Sequence, residues 1–374
     1  MASQVSEQIA SLRGPTLLWR RFAPYFFVCK APLAPPSSWS AKSARLSDKS
    51  FILQGFCETS TGDVNYNPWH QRDDSLTTFM YFRYILVILA AWGICSAQTA
   101  PARPQITGIS HVAFYGSNLE ADKKFYAELL GLAMEPSRPN DYHVGAQSVE
   151  LEALPGGHGP DLIAHVAFAT SDAEAIRKYL AANGIAVPAR SNTESNGTVW
   201  FAMKDPEGNP IEFVQERPEL TARHTETPIS KVMIHAGFVV HDRAAEDKFY
   251  KDLLGFHVYW HGGMKDDQTD WVDMQVPDGT QWLEYMLVSP GQKLSPQTLG
   301  VLNHIALGVP SIADAAQVLR SRGWKPSDRE KEQIGRDGKW QLNLYDPDGT
   351  RVELMEFTPV QAPCCSAYTG PHPH

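Results

Sequence analysis

A histidine-centred apolar run recurs four times along this chain, as ISHVAF (109–114), IAHVAF (163–168), IHAGF (234–238) and NHIALGV (303–309). Runs rich in Val, Ile and Phe read as strands. Each is followed by a helix-like segment. KFYAELLGL (124–132) and KFYKDLLGF (248–256) are near copies, and AIRKYLAANGI (175–185) and AAQVLRSRGW (315–324) take the same place after the second and fourth runs. A unit this small cannot bury its apolar face alone, so repeated copies must pack on one another. Capping signals support the helices: Ser117 with Glu120 and Ser171 with Glu174 have capping-box spacing, and Asp242 fits an N-cap. Gly131, Gly184, Gly255 and Gly323 stand where a left-handed residue would stop each helix.

The second and fourth units end alike, in KDPEGNPIEFVQ (204–215) and YDPDGTRVELMEF (345–357). Asp-Pro-x-Gly is a turn signal, with Pro fixing φ and Gly accepting a positive one. The strand after it carries one carboxylate, Glu212 or Glu353. The first and third units end in SVELEAL (148–154) and QWLEYML (281–287), which supply Glu150 and Glu284. His111 to His235 and Phe125 to Phe249 are both offsets of 124, while His165 to His304 is 139 and Glu212 to Glu353 is 141. The small differences belong to loops such as GGMKDDQTD (262–270). One two-unit domain has been duplicated.

Composition limits the partners. Net charge is −9, and no basic run of the kind that tracks phosphates is present, which argues against nucleic acid. A 43% hydrophobic content is that of a globular chain able to bury cores. The five cysteines (Cys29, Cys57, Cys95, Cys364 and Cys365) leave 96–363 free of thiols. A disulfide framework and a Cys-x-x-Cys metal site are therefore not expected.

Residues 80–97, MYFRYILVILAAWGICSA, have the order of a signal peptide: Arg83, a short apolar run, then a small-residue cleavage site ending at Ala97. The run is too short for a comfortable membrane span. Met80 then reads as the true start, and 1–79, with its Pro/Ser cluster, as a disordered segment outside the mature protein. A signal-anchor is the competing reading. Export would make the protein periplasmic or secreted, without stable membrane association.

Four strand–helix–three-strand units, with FYxxLLG helices and DPxG turns, resemble the vicinal oxygen chelate superfamily of glyoxalases, bleomycin resistance proteins and extradiol dioxygenases. The resemblance covers 107–217 and 232–358, leaving a tail at 359–374. It implies an α+β fold of four βαβββ modules in two domains, each an open sheet curved around a cleft. It also places divalent-metal ligands on the first and last strands of each unit. In the second domain those positions hold His235, Glu284, His304 and Glu353; in the first they hold His111, Glu150, His165 and Glu212, with Glu152 able to replace Glu150. Two imidazoles and two carboxylates suit Zn, Ni, Co, Mn or Fe.

The resemblance further implies a small substrate with vicinal oxygens and a lyase or isomerase of glyoxalase type. Glu353 is then the first candidate for the proton-shuttling base and Glu284 the second. Extradiol ring cleavage is the alternative, using His235, His304 and Glu353. Against it, Glu284 stands where those enzymes carry a histidine, and Asn343 where they carry a tyrosine. A third reading is a ligand-binding protein of the bleomycin-resistance kind. Trp260, Trp271, Trp282, Trp324 and Trp340 could wall a pocket or pack a core. Arg336 and Lys339 could hold a substrate carboxylate or lie in a solvated loop. In the tail, Cys364, Cys365, His372 and His374 suggest a soft-metal or redox feature, or a vicinal disulfide.

Overall fold

The computed structural model describes residues 102–215 and 227–374, so the signal segment 80–97 and the preceding 1–79 lie outside the described residues. Each repeat forms the strand–helix–three-strand unit that its pattern predicts. The first half runs β1 (Ile106–Gly116), α1 (Leu119–Lys123), β2 (Ala133–Met134), β3 (Asp141–Val144), β4 (Gln147–Ala153), β5 (Ile163–Thr170), α2 (Ala173–Ala182), β6 (Asn192–Thr193), β7 (Val199–Lys204) and β8 (Pro210–Gln215). The second half repeats it with β9 (Met233–Val240), α3 (Arg243–Glu246), β10 (His257–Gly262), β11 (Trp271–Gln275), β12 (Trp282–Leu287), β13 (His304–Val309), α5 (Ile312–Ser321), β14 (Glu332–Ile334), β15 (Trp340–Tyr345) and β16 (Arg351–Glu356). A short helix α4 (Pro296–Leu302) precedes β13.

Each half makes one eight-stranded sheet, in the orders β2-β3-β4-β1-β5-β8-β7-β6 and β10-β11-β12-β9-β13-β16-β15-β14. Sequential units therefore share a sheet. At each centre the two first strands run antiparallel, β1 on β5 and β9 on β13, and each has its own unit's last strand parallel on its other side. Each of the four central strands of each sheet thus carries one of the histidines or glutamates picked from the sequence.

Helix starts differ from the capping-box expectation by one residue. Asn118 and Asp172 are the N-caps, accepting from Ala121 and Ala175 backbone N–H groups. Ser117 instead donates its hydroxyl to Asp348, and Glu174 pairs with Arg177 at 2.6 Å. Asp242 caps α3 as expected. After α1 and α3 the FY segments widen into π-helical turns at Lys124–Leu129 and Asp247–Leu253, which seat Tyr126 and Tyr250 wholly inside the protein. The four stopping glycines have φ between 68° and 93°.

Both sheets belong to one compact unit, joined by paired contacts that follow the duplication. Gln147 Oε1 accepts from Met233 N at 2.7 Å, and Gln281 Oε1 accepts from Ile109 N at 2.6 Å. Tyr126 donates to Asp346 in the second half's DPxG turn, and Tyr250 to Asp205 in the first half's. One apolar core, including Phe168, Phe213, Phe238 and Tyr285, runs through both halves.

Candidate metal centre

In the second half, His235 on β9 and His304 on β13 bring their Nε2 atoms to 3.0 Å. Glu284 Oε2 on β12 lies 3.5 Å from His235 Nε2 and 3.0 Å from His304 Nε2. Glu353 Oε2 on β16 lies 3.8 Å from each. The first half repeats the arrangement less tightly. His111 and His165 Nε2 atoms are 3.0 Å apart, with Glu212 Oε2 at 3.8 and 3.9 Å and Glu150 Oε1 at 4.0 Å from His111. All eight positions picked from the sequence therefore gather, four in each cleft. Glu152 is exposed beside them, and the tighter cluster contains Glu150 rather than Glu152.

The chemistry of the donors fits a divalent cation. His304 Nδ1 lies 2.8 Å from the Leu302 carbonyl, so it carries the proton and leaves Nε2 with a bare lone pair. That lone pair stands 3.0 Å from a glutamate oxygen, another acceptor. Arg351 Nη2 lies 2.6 Å from that lone pair, and a divalent ion between the imidazole and the carboxylate is the other cation this acceptor pair would suit. Burial first, then Arg351, pulls His304 well below its ordinary range, and burial first pulls His235 down likewise. Both imidazoles are therefore neutral at neutral pH, as a ligand must be. In the first half burial takes His111 and His165 down to about 3. Burial first, then neighbouring glutamates, raises Glu212 to about 7, and burial raises Glu353 to about 7 against the opposing pull of Arg351. A cation between the ligands would relieve that crowding of buried negative charge.

The clefts differ in their walls. Each measures about 460–470 Å³. Trp260, Trp271, Trp282, Met264, Met286 and Ile334 make the second more apolar than the first, which Ser148, Gln147, His143 and Thr198 line. Register shows that Trp282, beside His235, stands where Ser148 stands beside His111. Trp324 and Trp340 pack on the core instead. Arg336 lines the second cleft and pairs with Asp266. Lys339 is not in a solvated loop: it is fully buried, its ammonium 4.7–5.4 Å from the ring centres of Trp282, Tyr368 and Tyr259. Cys364 and Cys365 are bridged.

Sequence reasoning passed over Asp141 and Asp273, buried acids paired in register with Glu150 and Glu284. A carboxylate inside the apolar run WVDMQV was the available signal. It also passed over Arg351, which lines the second cleft at the start of β16.

The solved structures that this chain resembles share the fold. A variant of homoprotocatechuate 2,3-dioxygenase from B. fuscum aligns at 22% identity over 73% of this chain and 75% of that one, with a TM-score of 0.54. The enzyme of the same name from Arthrobacter globiformis aligns at 20% identity over 69% of this chain and 81% of its own, with a TM-score of 0.53. No curated protein matches the chain. The family model described as the glyoxalase/bleomycin resistance protein/dioxygenase superfamily matches residues 108–213 and 232–354, well over half the sequence. With two duplicated sheets, each cupping a His-Glu-His-Glu cleft, the chain belongs to that superfamily.

Proposed function

We propose that the chain is a divalent-metal-dependent enzyme that moves a proton on a small substrate with two adjacent oxygens, and that the second cleft is its working site. The observation carrying this reading is Glu284. Its Oε2 sits closer to both imidazoles than Glu353 does, so two carboxylates, on β12 and β16, face one reacting position from opposite sides of the histidine pair. A bound metal would supply Lewis-acid polarisation of the two substrate oxygens. The chain's own residues do the rest. Trp260, Trp271 and Trp282 exclude water from an apolar face. Glu353, nearly wholly buried and opposite Asn343, is the first choice to take and return a carbon-bound proton at its free oxygen, with Glu284 second. Such a role makes the enzyme a lyase or isomerase of glyoxalase type.

A second reading keeps a specific support. His235, His304 and Glu353 form a buried trio of the two-histidine, one-carboxylate kind, which suits non-haem iron and ring cleavage. The metal decides between the two. Metal analysis of the purified protein beside His235→Ala and His111→Ala is expected to find nickel, cobalt or zinc, with the share held by the second cleft lost on His235→Ala. Solvent deuterium should then wash into a 2-hydroxycarbonyl probe with the wild type and not with Glu353→Gln. Iron, with oxygen uptake on catechols, would replace proton transfer by ring cleavage. No metal after reconstitution would leave a ligand-binding protein.

A further inference from the structure

One strand position separates the two clefts. Arg351 opens β16 two residues before Glu353, and Pro210 opens β8 two residues before Glu212. The register makes them equivalent, because Arg351 pairs with Tyr345 as Pro210 pairs with Lys204 across the same hairpin. Only the second half therefore places a guanidinium here.

That guanidinium is turned inward. The Arg351 side chain is 14% exposed, its Nη2 is 2.6 Å from His304 Nε2, and its Nη1 is 4.0 Å from Glu353 Oε2. His304 Nδ1 is held as a donor by the Leu302 carbonyl, so Arg351 donates to the bare Nε2 lone pair. Arginine keeps its charge at any pH a folded protein meets. The lone pair through which His304 would bind a metal is thus already in use by a permanent cation. The first site offers a contrast. Arg138 is 53% exposed, and its ion pairs are to Asp141 at 3.0 Å and to Glu150 at 3.7 Å rather than to an imidazole.

Resting on the metal reading above, we propose that Arg351 is a built-in competitor for the second site. A nitrogen lone pair cannot serve an N–H donor and a metal together, so a divalent ion binds there only as the guanidinium leaves His304. The first site loads without that exchange. The two ligand sets match in residue type but not in affinity, and Arg351 makes the difference.

The test is a cobalt(II) titration followed by visible absorption, on the full chain carrying His111→Ala to silence the first site. It is repeated with Arg351→Gln, Arg351→Met or Arg351→Lys added. Losing the charge is expected to tighten cobalt binding about tenfold or more in both neutral variants, while Arg351→Lys stays near the parent. Two neutral replacements of different polarity guard against one of them failing to fold. Unchanged or weaker binding in the folded neutral variants overturns the competitor and leaves the metal reading standing. Cobalt on none of the proteins overturns both.

Discussion

A Cβ placed on Gly237 would lie 2.2 Å from His304 Cε1 and 2.5 Å from its Nδ1. Gly237 pairs with His304 in the β9–β13 ladder, so the absent side chain is what lets the imidazole lie against the neighbouring backbone. The first half has Ala113 opposite His165, and there the histidine side chain is 15% exposed, against 0% for His304. Gly237→Ala should therefore displace His304 and loosen its bond to the Leu302 carbonyl. Cobalt affinity at the second site is expected to fall about tenfold or more, with roughly 1–3 kcal/mol of stability lost to overpacking. A variant that melts lower yet binds cobalt as before would remove His304 from the ligand set. The histidines and glutamates were legible in the sequence because each interrupts an apolar strand at the same place in a repeat. Gly237 and Arg351 were not. A glycine's role depends on what approaches it, and an arginine after a turn reads as a solvated end until the fold shows where it points.

The four strand–helix units were equally legible, since alternation and the duplicated FY segment mark them. α4 was missed although Ser295 caps it and Pro296 begins it, because seven residues are too few for a helical period to show. The C-terminal tail was legible only as a pair of cysteines with two histidines, His372 and His374, after them. Its structure is borrowed from the sheet edge: Thr369 N donates to the Tyr259 carbonyl at 3.0 Å, Gln275 to the Pro371 carbonyl at 2.9 Å, and Trp260 to the Cys364 carbonyl at 3.2 Å. Tyr368 lies at 4.8 Å from the Tyr259 ring and donates to the Asp337 carbonyl, closing the aromatic box over Lys339. Burial lowers the Lys339 ammonium while Asp337 and Asp273 hold it up, so opening the box uncovers a charge balance. Tyr368→Ala is expected to cost about 2–4 kcal/mol in urea unfolding. The Cys364–Cys365 bridge joins neighbours and closes almost no loop, so replacing both cysteines by serine should cost under about 1 kcal/mol. The reverse order would mean that the bridge, not the ring, fastens the tail.

Across the whole molecule, the duplication puts two acid–tyrosine clusters where each half's first helix meets the other half's DPxG turn. In one, Asp122 has both oxygens buried without a partner, near Tyr126, Asp346 and Asp348. In the other, Glu246 is wholly buried, with Oε1 accepting from Glu207 N and Oε2 unpartnered, near Asp205 and Tyr250. Burial first, then Asp205 and other neighbouring carboxylates, raises Glu246 from 4.5 to about 9. Burial first, then Asp346 and Asp348, takes Asp122 to about 7. An acid raised on folding binds its proton more tightly in the native state, so its contribution is complete below the unfolded value and is lost as pH rises through the folded one. For Glu246 the window runs from about 4.5 to about 9, and across it the stability this carboxyl contributes is expected to fall. Glu246→Gln keeps the shape and removes the ionisation. At pH 8 the variant should melt higher than the wild type, by the equivalent of about 1–3 kcal/mol. At pH 5, where the wild-type carboxyl is already protonated in the fold, the gap should nearly close. A gap that is constant with pH would mean that Glu246 acts through packing alone. A gap that narrows as the pH falls would mean that the two halves of a duplicated protein are held together through protonated carboxyls.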